Sequence, residues 1–219
     1  MSTFVAKSTN ITKSELSRSG KVQTSCLFMN KNLLLAILLA ISPATGNLFA
    51  ADDPAAAALA KESEEYCAST INKDRPTPPS VIVAKVNEAC ALLEKEGKDA
   101  LPKFQGKGSP FIYEGTYIWI HSLNDTEMLM HPIKYKMNGT KIVGVKDTKG
   151  KRLFAAMNEL VREKGEGWVE YYWPKPGTKD SIHKISFVKK CKLPDGVEVV
   201  VGSGLYNLDD PEVAKLELH

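Results

Sequence analysis

The chain has 219 residues, 43% of them apolar, with 29 Lys/Arg against 26 Asp/Glu. Five of the basic and one of the acidic residues fall in the first 50, which leaves 24 and 25 in the rest, a net charge near −1. A near-neutral body exerts no long-range pull on nucleic acid or anionic lipid, which sets those partners aside, and about 169 residues suit one hydrophobic core better than two.

Residues 1–28 are rich in Ser, Thr and Lys and show no apolar period. They read as an N-terminal extension from a mis-called start, with translation expected to begin at Met29. Residues 29–50 have the order of a secretory signal: a short basic start at Lys31, an apolar run over 33–41, then Ser42-Pro43 and small residues at Ala50 and Ala51. The run is shorter than the roughly 20 residues a bilayer-spanning helix needs, although an N-terminal membrane anchor is the alternative reading. The product is therefore expected to be exported, periplasmic or secreted.

Residues 51–79 comprise an Ala-rich helix over 55–71, favoured by propensity, and a turn with Pro76, Pro78 and Pro79 that forbids its continuation. A second helix is expected after Ser80 as N-cap, with Val83, Val86, Ala89, Cys90 and Leu93 at helical spacing and Gly97 as its stop. Two helices joined by a short Pro-rich turn are expected to fold back as a hairpin, placing Cys67 opposite Cys90. Cys26 lies upstream of the signal, so Cys67, Cys90 and Cys191 remain. A Cys67–Cys90 disulfide is the expectation in an oxidising compartment, and three free thiols are the alternative.

The period then changes. Residues 116–123 are aromatic and β-branched and read as a strand, with Tyr117, Trp119 and His121 on one face and Ile118 and Ile120 on the other. A short returning strand follows over 128–132. Leu153, Phe154, Met157, Leu160 and Val161 mark an amphipathic helix that ends at Gly165. Three strands complete the chain, over 168–173, 182–190 and 197–203, joined by Pro/Gly turns. Residues 209–219 form a short tail, frayed or a brief last helix. Helices, a hairpin, a crossing helix and a meander suit an α+β fold with one antiparallel sheet.

Five blocks in this order carry a family likeness: Tyr117-Ile118-Trp119-Ile120; Met130-His131-Pro132; Gly165-Glu166-Gly167-Trp168-Val169-Glu170-Tyr171-Tyr172-Trp173-Pro174; Lys184-Ile185-Ser186-Phe187-Val188; and Val201-Gly202-Ser203-Gly204-Leu205-Tyr206. Together they resemble the single Cache domain family over residues 80–208. The resemblance implies a PAS-like extracytoplasmic sensor domain, with about five antiparallel strands and a long N-terminal helix packed on the sheet. It also implies a pocket for a small ligand, in many relatives a short organic acid. Relatives often precede a transmembrane helix and a signalling module, and neither is legible in this sequence.

A small carboxylate needs a few donors in an otherwise dry, aromatic-walled cavity. With the resemblance, this makes Tyr117, Trp119, His131, Tyr171, Trp173 and Lys184 the expected ligand contacts. Each also has a plainer reading: aromatics at period two as core, His131 as a structural residue, and Lys184 as a solvent-facing lysine. Gly202-Ser203-Gly204 reads as a turn at a strand end. His121 reads as structural. No phosphate loop, Gly-x-Ser-x-Gly elbow or His-Glu-x-x-His occurs. His121 and His131 lack a third metal ligand at any placed spacing, so no metal and no cofactor are expected. An enzyme built on His131 or Cys191 lacks a placed nucleophile–base pair. The expected function is non-catalytic recognition of a small organic acid, with a module docking on a membrane receptor as the alternative.

Overall fold

The computed structural model describes residues 53–72, 75–206 and 209–219. The expected extension (1–28) and signal (29–50) lie outside the described residues.

Helix α1 (Pro54–Ser69) starts where Asp53 accepts a hydrogen bond from Ala55 N at 2.8 Å and Pro54 occupies the first helical position. Helix α2 (Pro79–Glu96) begins earlier than expected. Pro78 is its extended N-cap and Pro79 its first residue, because a proline's fixed φ already matches a helix and its missing N–H costs nothing there. Gly97 caps it at φ +65°, and the chain tightens into a 3-10 segment over Gly97–Phe104.

The strands are β1 (Ile112–Tyr113), β2 (Thr116–Tyr117), β3 (Trp119–Ser122), β4 (Met128–Met130), β5 (Glu166–Pro174), β6 (Ser181–Lys192) and β7 (Glu198–Leu205), with α3 (Leu153–Lys164) before β5. Five of them form an antiparallel sheet in the order β4-β3-β7-β6-β5. The single strand expected over 116–123 is two. β2 pairs with β1 across Glu114-Gly115, both at positive φ, as a two-residue hairpin turn requires. A Cβ on Gly115 would also approach Ile71 to 2.6 Å. After Ile118, whose N–H bonds Phe111 O at 3.0 Å, the chain joins the main sheet. There Trp119 stands opposite Gly202 and His121 opposite Val200.

The sheet carries a core on each face. On one, Ile82, Val86, Ala89 and Leu93 of α2 meet Ile118, Ile120, Ile185, Phe187, Val199 and Val201. On the other, Phe154, Met157, Leu160 and Val161 of α3 meet Tyr117, Trp119, Val169, Tyr171, Val188 and Val200. The strict alternation of these sets follows from the period of a strand.

That partition corrects the disulfide expectation. Cys67 packs in the α3-side core and donates to Thr116 O at 3.4 Å, whereas Cys90 packs in the α2-side core. The sheet separates them. Cys90 instead pairs with Cys191, whose Cα is 5.7 Å away, and Cys67 is a buried free thiol. Cys191 shares the odd-numbered face of β6 with Ile185 and Phe187, the face that α2 covers. The tail is anchored: Val213 is buried in a 3-10 turn, and His219 N bonds Trp168 O at 3.0 Å.

Candidate functional site

Four strands present their α3-side faces at one end of the sheet. In the β5–β6 register Tyr171 stands opposite Lys184 and Val169 opposite Ser186. Gly204 stands opposite Ser186 on the next strand. Gly202, Gly204 and Tyr206 share a parity, so β7 passes the site with two positions that carry no side chain and then supplies an aromatic ring. The glycines are required: a Cβ at Gly202 would run into the Trp119 indole, and one at Gly204 into Ser186 Oγ. The Gly202-Ser203-Gly204 segment is thus strand rather than turn, and it makes room for the side chains of β3 and β6.

Lys184 lies in that room. It is 0% exposed, and its Nζ has no hydrogen-bond partner among the described residues. Three rings surround the nitrogen, with centroids at 4.6 Å (Tyr117), 4.9 Å (Tyr206) and 5.2 Å (Trp119). A desolvated cation over a ring gains about 2 kcal/mol, while an unpaired buried ion costs several kcal/mol even after relaxation. The rings therefore offset only part of the loss. Burial accordingly lowers the Lys184 pKa to about 7.

His131 follows β4 and closes the box. Its ring is 5.0 Å from that of Tyr117 and 6.2 Å from that of Trp173. Nδ1 accepts from the backbone N–H groups of Lys134 (2.9 Å) and Ile133 (3.3 Å), so the neutral ring carries its proton on Nε2. Its backbone N–H donates to Asn138 Oδ1 at 2.7 Å. Burial, reinforced by Lys184 and then Lys134, holds the imidazole well below its ordinary pKa. His131 is thus an uncharged donor held by its own loop.

The other expected contacts divide. Trp119 Nε1 is a buried donor without a partner among the described residues. Trp173 Nε1 donates to Tyr117 Oη at 3.1 Å, which fixes both rings. The Tyr171 and Ser186 hydroxyls bond each other at 2.9 Å, and the Tyr171 ring stands edge-on to Trp173 at 6.3 Å. The geometry brings Lys184, Tyr117, Trp119, His131 and Trp173 together and sets Tyr171 behind Trp173. His121 stands apart. Its Nε2 donates to Asn158 Oδ1 at 2.9 Å, and Asn158 Nδ2 donates to Thr126 Oγ1 at 2.9 Å, so it ties β3 to α3.

Sequence reasoning passed over Tyr206 and Cys67. Tyr206 closes the last of the five blocks, and period-two counting from Gly202 would have found it. Its hydroxyl donates to Pro174 O at 2.9 Å, which pins the ring over Lys184. Cys67 reaches the site from α1, and no local pattern announces it. Burial pushes its thiol up to about 12, so it is not a thiolate. Two cavities flank the box. One of about 400 Å³ touches Trp173 and Ile133, and one of about 270 Å³ touches Tyr206, Thr116, Arg75 and Glu114. The arrangement offers a cation and N–H donors inside apolar walls, suited to one small anion. Among the described residues no group of three His, Cys, Asp or Glu is placed to hold a metal ion.

Known proteins share this framework. The Cache domain family model matches residues 107–211. The methyl-accepting chemotaxis protein McpP of Pseudomonas putida is 36% identical over 94 residues, 43% of this chain. The match spans only 16% of that receptor's length. A solved periplasmic sensor domain of a chemotaxis protein is 33% identical, with 58% of this chain and 90% of that one covered and a TM-score of 0.44. A solved Cache chemosensory domain that recognises carboxylic acids superposes with a TM-score of 0.50, covering 58% of this chain. At 31% identity across 91% of that sensor domain, the chain belongs to the Cache domain family.

Proposed function

We propose that the protein is an exported sensor that binds one short organic acid, without catalysis, in the box around Lys184. The observation that carries this reading is the Lys184 amino group: wholly buried, without a hydrogen-bond partner among the described residues, and facing three rings. A lysine in that setting costs stability unless an anion completes it. A carboxylate supplies the counter-charge to Lys184 and two oxygens for the N–H groups of Trp119 and His131, while the rings accept a short alkyl chain. A dicarboxylate would bury a second charge with no second cation in the box. Tyr117, Trp119, His131, Trp173 and Lys184 are the proposed contacts, with Tyr171 acting through Trp173. The carboxylic-acid recognition of the 31%-identical sensor domain supports the ligand class.

Within this reading, residues 80–208 are the ligand-binding domain. The helix within 51–79 is its N-terminal support, 209–219 its tail, and 29–50 the signal for export. The Cys90–Cys191 disulfide suits an oxidising compartment. Signal output then passes to a membrane receptor that this protein contacts. A docking module with a vestigial pocket would keep the cost of Lys184 without a return, and the same experiment separates the two readings.

The test is a thermal-shift series with acetate, propionate, lactate, pyruvate, succinate and amino acids. Monocarboxylates are expected to raise the melting temperature with concentration, since a ligand at 100 times its Kd stabilises by about 2.7 kcal/mol. Lys184→Gln is expected to abolish that rise. A flat response to every acid, or an unchanged response in Lys184→Gln, would overturn the proposal.

A further inference from the structure

Among the described residues no carboxylate pairs with the Lys184 amino group, which bears on how the site would respond to an acid. The titratable groups facing Lys184 come from five elements, and none brings a carboxylate to it. The Cys67 thiol comes from α1, the Tyr117 phenol from β2, the His131 imidazole from the segment after β4, the Tyr171 phenol from β5 and the Tyr206 phenol from the end of β7. Trp119 of β3 adds a ring that does not titrate. Glu64, on α1, is felt by Cys67 and Tyr117, but its carboxylate accepts from Gly177 N at 3.2 Å and forms no ion pair with Lys184. Burial raises the thiol and all three phenols, so they stay protonated. Burial, then Lys184 and Lys134, keeps His131 neutral, and two backbone N–H groups occupy its Nδ1.

We propose that this site takes up a proton together with its ligand: Lys184 is largely a neutral amine in the ligand-free protein at mildly alkaline pH and becomes the ammonium as a carboxylate enters. The inference rests on the carboxylate reading above and deepens it by stating what the site exchanges with solvent. The balance is simple. The amine, a carboxylate anion and one proton from the buffer give an ammonium–carboxylate pair, and no covalent bond to carbon changes. The box then gains no net charge, because the carboxylate and the proton enter together. Loss of water disfavours the ammonium, while the faces of three rings favour it in part, which keeps the balance point in the neutral range. Burial, offset in part by Cys67, sets that point at about pH 7. An incoming carboxylate within contact distance moves it upward. Below pH 6 the lysine is charged in both states and nothing is taken up. Above pH 7 each further unit weakens apparent binding about tenfold.

The experiment is calorimetric titration of the protein with propionate at pH 6, 7 and 8, each in phosphate and in Tris, whose ionisation heats differ. The expected uptake is about 0.9 proton at pH 8 and about 0.1 at pH 6, with affinity falling across that range. Binding with no uptake at pH 8 and a constant Kd would overturn the inference and leave the carboxylate reading standing. A second measurement needs no ligand: the Lys184 side-chain resonances of the ligand-free protein, followed by NMR, are expected to titrate with a midpoint near 7. A midpoint above 9 overturns the inference whatever binds. A midpoint near 7 with no acid bound supports the neutral amine while sinking the carboxylate reading. In Lys184→Arg the cation is permanent, so binding is expected to lose its proton uptake; uptake that persists there places the proton on another group and overturns the inference.

Discussion

The two faces of the sheet are built to different rules. The α2 side is almost wholly apolar, with Ile82, Val86, Ala89 and Leu93 against Ile118, Ile120, Phe187, Val199 and Val201, and a disulfide ties helix to strand. The α3 side buries His121, His131, Lys184, Ser186 and Asn158 among its rings. Burial of apolar surface at about 25 cal/mol per Å² stabilises the first face without qualification. On the second, hydrogen bonds satisfy some polar groups and leave Lys184 Nζ, Trp119 Nε1 and His121 Nδ1 without a partner among the described residues. One face holds the fold, and the other keeps buried polar groups that no described residue completes.

The largest expected effect tests the first face. The Cys90–Cys191 bridge spans 101 residues. In the chain-entropy account a loop of that size stabilises by about 4–5 kcal/mol. Reduction, or Cys90→Ser with Cys191→Ser, should therefore lower the urea midpoint sharply; an unchanged midpoint would mean that α2 needs no tether. Leu93→Ala comes next, at about 3 kcal/mol for a buried leucine, and propionate-induced stabilisation should survive it. Loss of that response on an otherwise folded variant would show that the faces are coupled.

On the second face the sign reverses. Lys184→Met removes a buried group with no partner, so the ligand-free variant is expected to match or exceed the wild type by about 1–3 kcal/mol while losing the acid response. A marked loss of stability would show that Lys184 has a structural partner. The pH dependence of stability separates the same groups. Lys184 has its pKa lowered to about 7 from 10.5, so the unfolded chain binds the extra proton between those values and the Lys184 contribution should rise with pH there, opposed above about pH 9 by Cys67, whose thiol burial raises to about 12. His121 is lowered to about 4 by burial, so its contribution is present above 6.5 and is lost as pH falls towards 4. The Lys184 limb has a maximum slope of about 1.4 kcal/mol per pH unit, and the acid limb up to about twice that, because burial also holds His131 well below its ordinary pKa. Denaturation midpoints from pH 4 to 10 should show both limbs, and Lys184→Met should flatten only the upper one. The smallest effect is that of Tyr206→Phe, which loses one hydrogen bond to Pro174 O, about 1 kcal/mol, yet keeps its ring over Lys184. Binding should persist there and weaken in Tyr206→Ala.

Much of this was legible in the residues themselves. Alternation placed Tyr117, Trp119 and His121 on one face of their strands and Ile118 and Ile120 on the other, because strand side chains alternate whatever surrounds them. The spacing of Leu153, Phe154, Met157, Leu160 and Val161 marked α3, and Gly165 its end. The five blocks pointed to the Cache domain family. Local pattern did not reach Tyr206, because two strand glycines before it imitate a turn. Nor did it reach the break at Ile118, where pairing with β1 competes with pairing in the main sheet.

By itself, then, the sequence determined the period of each element, the residues that share a face, and the α+β class, since propensity and periodicity act over a few neighbouring residues. Tertiary structure alone decided which face α2 would cover, and with it the partner of Cys90. It also decided that Lys184 is enclosed rather than solvated, because a lysine on an alternating strand is consistent with either side until another layer closes over it. Disulfide choice and burial depend on contacts between residues a hundred positions apart, which no local period encodes.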